Sequence, residues 1–158
     1  MKFKEILSYV IIILVVVLIR TFIVTPIKVN GDSMYPTLED GDLMILTKYE
    51  RNDIDRFDIV VIDIGDEKII KRVIGLPKED VAYKNGKLSI NGKIIKNEFG
   101  FGETSDFEDY CTSEEYFVLG DNREVSKDSR AVGCISKDKI LGTTKFVFFP
   151  FTKVGSVE

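Results

Sequence analysis

The sequence predicts a mainly β domain behind one N-terminal transmembrane helix. An apolar run of membrane length occupies residues 6–24. Beyond Pro26, short apolar runs alternate with turn residues and show no helical periodicity, and two Asn-Gly pairs stand between strand-forming residues. Because 158 residues leave room for one folded domain, we expect a tail and anchor over residues 1–25 and a β-rich domain over residues 26–158.

The apolar run ILSYVIIILVVVLIRTFIV approaches the roughly 20 residues that span hydrocarbon, and Arg20 lies near its end, where the charge can reach the headgroups. A cleaved signal peptide is the alternative, since residues 10–19 match the length of its apolar core. No small-x-small cleavage site follows, which favours an anchor. Two basic residues precede the run, and Arg20 and Lys28 lie at or beyond its far end, so the positive-inside rule leaves its orientation open.

The strands of the domain are predicted from apolar runs bounded by turn residues. The runs lie at residues 42–49, 57–64, 68–76, 115–122 and 139–151. Gly65-Asp66 predicts a tight turn between the second and third runs, while Asn85-Gly86 and Asn91-Gly92 predict two successive hairpins. The acidic segment 99–115 lacks periodicity and predicts an exposed loop.

Composition excludes several functions. A formal net charge of -4 and a pI near 5.1 give no basic field for nucleic acid. The chain contains no histidine, and two cysteines, Cys111 and Cys134, are too few and too far apart for a zinc site, so no metal or cofactor is expected. The cysteines form a disulfide if the domain lies outside the cytoplasm, or they remain two thiols; the spacing leaves both open.

Ser33, within NGDSMYPTLEDGD, raises the question of a nucleophile. A serine hydroxyl needs a base, and without histidine the base must be another group, such as a lysine whose pKa is lowered by desolvation. Lys71 lies in a predicted core strand, where alternation places it on the face of Ile69 and Val73. The pattern is equally compatible with a buried amine and with an edge position from which Lys71 reaches water.

A third segment, GDNREVSKDSRAVG at residues 120–133, concentrates polar side chains directly after a predicted strand. Polar groups at a strand end suit a functional site. The same residue types also form solvated turns, so the segment alone does not decide between the two.

Together, these segments resemble the type I signal peptidases, membrane-bound serine proteases with a Ser/Lys dyad that remove signal peptides from exported proteins. The matching stretches are GDSMYPTL, GDLMIL, KRVIGLP and GDNREVSKDSR, in family order after an N-terminal anchor. The short spacing between the last two resembles the compact Gram-positive enzymes. The resemblance implies a single β-rich catalytic domain of the type that signal peptidases share with self-cleaving repressors.

The resemblance also implies residue roles. Ser33 matches the nucleophile and Lys71 the general base of a reaction with an acyl-enzyme intermediate. The supporting residues are a hydroxyl that orients the lysine amine, Ser126, and two acid-base pairs, Asp128 with Arg130 and Asp121 with Arg72. The substrate is bound as an added strand along residues 27–31 and 68–70, with small pockets for the -1 and -3 residues; the substrate-binding residues are Val29, Asn30, Met34 and Ile70.

The implied partners are secreted preproteins with signal peptides, the lipid bilayer and, by proximity, the export machinery. The implied location is the cell membrane, single-pass, with a short cytoplasmic tail and an extracytoplasmic catalytic domain. Two positions depart from the family pattern. Gly31 stands where some members carry a hydroxyl for the oxyanion, and GLPKEDV replaces the usual Gly-Leu-Pro-Gly-Asp with a turn one residue longer.

Two other classes of protein are compatible with parts of this sequence. Self-cleaving repressor proteases share the fold, but they carry a DNA-binding domain where this chain has an apolar run. A membrane-tethered β module that binds exported peptides without cleaving them is the second alternative. Ser33 and Lys71 too far apart for a hydrogen bond would favour that module.

Overall fold

The computed structural model describes residues 3–22, 24–48, 53–96 and 98–157. Its α-helices are α1 (Phe3–Phe22) and α2 (Ser129–Val132), and short 3-10 helices lie at Lys137–Lys139 and Phe151–Lys153. Its strands are β1 (Val24–Lys28), β2 (Leu43–Thr47), β3 (Ile59–Asp63), β4 (Lys68–Gly75), β5 (Asp80–Lys84), β6 (Lys87–Ile90), β7 (Lys93–Ile94), β8 (Phe107–Tyr110), β9 (Glu115–Leu119), β10 (Ile135–Ser136), β11 (Ile140–Phe149) and β12 (Gly155–Ser156). The mainly β prediction is confirmed.

Helix α1 occupies the segment for which the sequence predicts a membrane anchor. In the described part of the chain, no helix qualifies as a membrane span by length and hydropathy. The anchor therefore stays a prediction. The side chain of Arg20 and the predicted strand end at Tyr49 lie outside the described residues.

The strands form two antiparallel sheets. The larger has the order β1-β2-β11-β3-β4-β9-β10, with β12 added to β11, and the smaller has the order β7-β6-β5-β8. Strand β1 is an edge of the larger sheet, and β9 pairs with β4 only from Arg72 onward, so the first half of β4 has an open outer edge. These two open edges position the site described below.

Strand β3 is buried on both faces because an apolar cluster packs against each of them. Ile59 and Val61 face a cluster with Met34, whereas Val60 and Ile62 face another on the opposite side. A strand buried on both faces reads as a continuous apolar run rather than an alternating one, which is why IVVI appears there. A third apolar cluster lies between the two sheets and includes Cys111 and Phe117.

The two Asn-Gly hairpins are confirmed. Asn85 and Gly86 join β5 to β6, and Asn91 and Gly92 join β6 to β7, with φ between 51° and 76° at all four residues. Two-residue hairpin turns of this kind need positive φ at both positions, which asparagine and glycine tolerate.

The loop predicted at residues 99–115 is wrong in part. Strand β8 lies within it and pairs with β5, and Cys111 at its end is fully buried. The short sequence FEDY carries no strand signal of its own; the open edge of β5 supplies the pairing. The structure also settles the alternative left by the cysteines, since Cys111 and Cys134 form a disulfide.

Candidate active site

Ser33 lies in the loop between β1 and β2, held by anchors on both sides of it. Met34 and Leu38 are buried in the core, and the Leu38 N–H donates to the Met34 carbonyl at 2.9 Å. The Ser33 carbonyl accepts from the Asn122 N–H at 3.0 Å. The backbone of Ser33 is therefore held against the segment that follows β9.

Lys71 lies in the middle of β4, directed at this serine. Its Nζ donates to Ser33 Oγ at 2.8 Å and to the Ile70 carbonyl at 2.9 Å. Only 3% of Lys71 is exposed. Of the two positions that the sequence pattern allowed, the structure has the buried one.

The environment of Lys71 disfavours its charge. Burial lowers the pKa of Lys71 from 10.5 to about 8, while the charges of Asp128, Glu67 and Asp121 act in the opposite direction. Desolvation penalises the ammonium form, so a useful fraction of neutral amine exists near neutral pH. A neutral amine 2.8 Å from a hydroxyl can accept the hydroxyl proton.

A buried ion pair supports the strand next to this lysine. Arg72 donates to Asp121 through Nε at 2.9 Å and Nη2 at 2.7 Å, and both residues are 1% exposed. The Thr37 hydroxyl donates to the same carboxylate at 2.6 Å, and the Phe99 ring lies 3.8 Å from the guanidinium carbon. This network connects β4, the Ser33 loop and the end of β9.

A second ion pair shapes the segment after β9. Arg130 donates to both oxygens of Asp128, at 2.8 and 2.9 Å, and Asp128 also accepts from the Gly120 N–H at 3.0 Å. Burial raises the pKa of Asp128, but hydrogen bonds from Arg130 and the Gly120 N–H, together with the nearby Ser126 hydroxyl, outweigh that effect and lower the pKa overall. Asp128 is thus held ionised in the segment after β9, close to Lys71.

Among the described residues, the Ser126 hydroxyl makes no hydrogen bond to Lys71. It is buried and has no partner at full hydrogen-bond geometry among the described residues, although it is close enough to Asp128 to act on that carboxyl's pKa. A hydroxyl that does not meet hydrogen-bond geometry still stabilises a nearby carboxylate through its dipole. Its role toward the lysine remains a prediction.

A cleft of about 540 Å³ runs from Ser33 between the open edges of β1 and β4. The predicted substrate-binding residues all line it: Val29, Asn30, Met34 and Ile70. Val29, Met34 and Ile70 are nearly buried and form an apolar floor, whereas Asn30 is exposed. Acidic side chains of the β3–β4 turn, Asp66 and Glu67, lie at its rim.

Gly31 has no side chain to offer an oxyanion, and its N–H donates to Asp40 Oδ1 at 2.8 Å. The Ser33 N–H, by contrast, donates to none of the residues that the structure describes. It is therefore the group available beside the Ser33 hydroxyl to meet a developing negative charge.

Sequence reasoning missed three residues that hold the site together. A β-carbon on Gly120 would lie 2.5 Å from the Ser33 carbonyl oxygen and 2.2 Å from Ser126 Oγ, so only glycine fits there. Thr37 and Phe99 contact the Arg72–Asp121 pair. Gly120 and Thr37 lie inside the motifs that match the family, and this position could have identified them. Nothing in the sequence around Phe99 indicates its role.

Comparison with known proteins identifies the family. The sequence matches "Signal peptidase, peptidase S26" over residues 3–149, so the chain belongs to that family. It is 40% identical to signal peptidase I of Bacillus licheniformis over 174 residues, covering 99% of this chain and 93% of that protein. It is also 36% identical to signal peptidase IB of Staphylococcus aureus (strain COL), covering 95% of this chain and 93% of that protein.

A solved structure agrees. The crystal structure of a signal peptidase I from Enterococcus faecalis V583 is 32% identical, with a TM-score of 0.51, and covers 57% of this chain and 95% of the other. The resemblance drawn from the sequence motifs is confirmed, and the chain is a serine peptidase, a hydrolase of the signal peptidase family.

Proposed function

We propose that this protein is a membrane-bound endopeptidase that cleaves signal peptides from exported preproteins after small residues. Ser33 is the nucleophile and neutral Lys71 the general base. The observation that carries the proposal is the 2.8 Å separation of Lys71 Nζ and Ser33 Oγ, at a lysine that is 97% buried. Membership of the signal peptidase family supports the substrate class.

In the proposed reaction, the Ser33 proton moves to Lys71 Nζ while Oγ bonds to the substrate carbonyl carbon. The Ser33 N–H donates to the oxyanion. The resulting ammonium then gives its proton to the leaving amine as the C–N bond breaks, which leaves an acyl-enzyme. Water attacks that ester while Lys71 accepts a proton from the water. The ester C–O bond then breaks, Lys71 returns the proton to Ser33 Oγ, and the signal peptide leaves as a carboxylic acid that ionises in solution.

The supporting residues act on the lysine and its surroundings. Two ion pairs hold the protein around Lys71. Asp121 with Arg72 joins β4 to the end of β9, and Asp128 with Arg130 shapes the segment after β9. The hydroxyl of Ser126 helps to orient the amine of Lys71. Loss of a positioning hydroxyl should lower the rate without removing it. Ser126→Ala should therefore retain measurable cleavage, whereas Ser33→Ala should have none.

The substrate lies in the cleft as an extended strand between residues 27–31 and 68–70. Open strand edges on both sides supply backbone hydrogen bonds that fix its register. Alternate side chains of a strand point to the same face, so the residues at -1 and -3 both face the floor of Val29, Met34 and Ile70. That floor is shallow enough to favour small side chains at both positions.

The membrane location is part of the proposal. The apolar side chains from Ile6 to Leu18 on α1 are 45–63% exposed, and the run of residues 6–24 approaches the length of a membrane span. In this arrangement residues 1–25 form the tail and anchor, and residues 26–158 form the extracytoplasmic domain, near the export machinery. Protease digestion of sealed cells expressing the chain should degrade residues 26–158 and protect the N-terminal tail.

The experiment that tests the activity is cleavage of a preprotein with an Ala-x-Ala signal peptide, with the full chain in detergent or liposomes. Wild type should cut after the second alanine. Ser33→Ala and Lys71→Ala should be inactive while keeping the wild-type circular dichroism spectrum. Thr112→Ala, a change in the exposed segment near β9, serves as the matched control and should cleave normally.

If the wild-type protein does not cleave the preprotein, the alternative of a non-catalytic peptide-binding module would be favoured. Near-normal cleavage by Lys71→Ala would mean that another group is the base. Both results are distinguishable from misfolding by the spectrum.

A further inference from the structure

Arg123 is a buried cation that neither ion pair of the site uses. It is 4% exposed, and its Nε and Nη2 donate to the carbonyls of Gly120 and Phe99 at 2.9 and 3.1 Å. Among the described residues, no carboxylate lies within ion-pair distance of Arg123, and its Nη1 has no hydrogen-bond partner. Peptide carbonyls solvate a guanidinium but do not neutralise it.

The neighbouring charges leave this cation in excess. Asp121 is paired with Arg72 and Asp128 with Arg130, so each carboxylate already has its own arginine. Burial lowers the pKa of Arg123, the charge of Arg130 adds to that effect, and the two carboxylates only partly offset it. A buried charge without a counter-charge is costly, and an incoming anion would remove that cost.

A cavity of about 220 Å³ lies directly against this guanidinium, and we call it the Arg123 cavity. It shares no lining residue with the central cleft. Its described lining contains no acidic residue, while Lys87 and Thr104 supply a second cation and a hydroxyl. The central cleft, in contrast, has Asp63, Asp66 and Glu67 in its lining.

The lining of the Arg123 cavity also contains apolar side chains. They are Leu88, Ile94, Ile95 and Phe99, and the ring of Tyr83 lies among them. A fully hydrated inorganic ion gains nothing from such side chains, whereas an anion with a short hydrocarbon body buries it there. We propose that the Arg123 cavity binds a small organic carboxylate, with the carboxylate at Arg123 Nη1 and Lys87 and the hydrocarbon part against these apolar side chains.

The probe is sodium butyrate, titrated into ¹⁵N-labelled full-length protein in detergent micelles at constant ionic strength set with chloride. Amide signals of residues 86–88 and 100–104 and the Nε signal of Arg123 should move saturably. A ligand of so few atoms should have a Kd on the order of 1 mM, so saturation should be reached by about 50 mM. Absence of saturable shifts in wild type at that concentration overturns the proposal.

Two variants locate the binding. Arg123→Gln should abolish the saturable shifts, and unchanged binding by the folded variant would contradict the assignment. If Arg123→Gln does not fold, Lys87→Gln tests the proposal instead. It should weaken butyrate binding about threefold, because a partly screened charge interaction is lost. Lys93→Gln removes the same charge from the next strand outside the cavity and should bind as wild type does. Equal affinities of Lys87→Gln and Lys93→Gln would count against the proposal.

Discussion

Two opposing influences act on Lys71 at the scale of single residues. Burial removes water from the amine, and three carboxylates around it restore part of the preference for charge. A lysine deeper in an apolar core would be neutral but could not hold the proton that it accepts. The carboxylates of Asp121 and Asp128 therefore matter to the proposed reaction twice, as supports of the backbone and as partners of the transient ammonium.

The pH dependence of cleavage follows from this balance. Lys71 must be neutral to accept the Ser33 proton, and its pKa is about 8. We expect kcat/KM to rise with pH and level off above about pH 8, and to fall about tenfold per pH unit well below it. Steady-state cleavage of a fluorogenic signal peptide across the pH range measures this. A rate that stays flat down to about pH 5 would rule out a lysine base.

Glu67 offers a selective test of the same balance. Its charge raises the pKa of Lys71, so Glu67→Gln should move the acid limb of the profile to lower pH. Because Glu67 is exposed, the displacement should shrink as salt is added. Asp66→Asn removes the same charge from the adjacent position, which is not among the charges acting on Lys71, and should leave the profile in place. Identical profiles for both variants would contradict the assignment.

Gly120 is predicted to be indispensable for the position of Ser33. A β-carbon there would meet the Ser33 carbonyl oxygen at 2.5 Å, and a backbone atom cannot rotate away as a side chain can. Gly120→Ala should therefore displace Ser33 from Lys71 and lower kcat about 100-fold, the usual result of a misplacement near 1 Å. Gly155→Ala, where a β-carbon meets nothing within 4 Å, is the control and should cleave normally. An active Gly120→Ala would show that the loop has room to adjust.

At the scale of elements, sequence predicts what local chemistry dictates. The Asn-Gly hairpins were predictable because asparagine and glycine tolerate the positive φ that such turns need. Strand β8 was not, because its four residues become a strand only by pairing with the edge of β5. Lys71 illustrates the intermediate case. Alternation placed it on an apolar face, but whether that face is covered depends on the Ser33 loop, which is distant in sequence.

The backbone of the turn after β4 is strained at Lys78, and a substitution can test this. Lys78 has φ of 66°, in the left-handed region that favours glycine. Its N–H donates to the carbonyls of Cys111 and Thr112, and glycine would keep both bonds. Lys78→Gly should raise the free energy of unfolding by about 0.5–1 kcal/mol, the cost of a β-carbon in this region less the extra chain entropy of glycine.

Urea denaturation measures this change. Lys93→Gly places the same substitution in strand β7, where glycine weakens the strand, and should lower stability instead. Stabilisation by both variants, or by neither, would mean that the backbone of residue 78 is not the source of strain. Cleavage activity should be unaffected, since Lys78 does not line the cleft.

At the scale of the whole molecule, the disulfide joins the two sheets. Cys111 follows β8 of the smaller sheet and Cys134 precedes β10 of the larger one, with a sequence separation of 23 residues. Both cysteines pack in the apolar cluster between the sheets, and neither lines the cleft. The bridge thus acts on the stability of the assembly of sheets rather than on the chemistry at Ser33.

Removing the bridge should cost about 3 kcal/mol in the free energy of unfolding, the amount expected when a loop of this length is no longer closed in the unfolded chain. The double variant Cys111→Ala/Cys134→Ala should show this loss in urea denaturation and should be insensitive to reductant, whereas reduction of wild type should bring its stability down to the same level. Cleavage well below the unfolding midpoint should be equal for the two proteins, because the Ser33–Lys71 contact is formed by elements of the larger sheet alone. A large loss of activity under these conditions would instead show that the smaller sheet holds the catalytic segment after β9 in place.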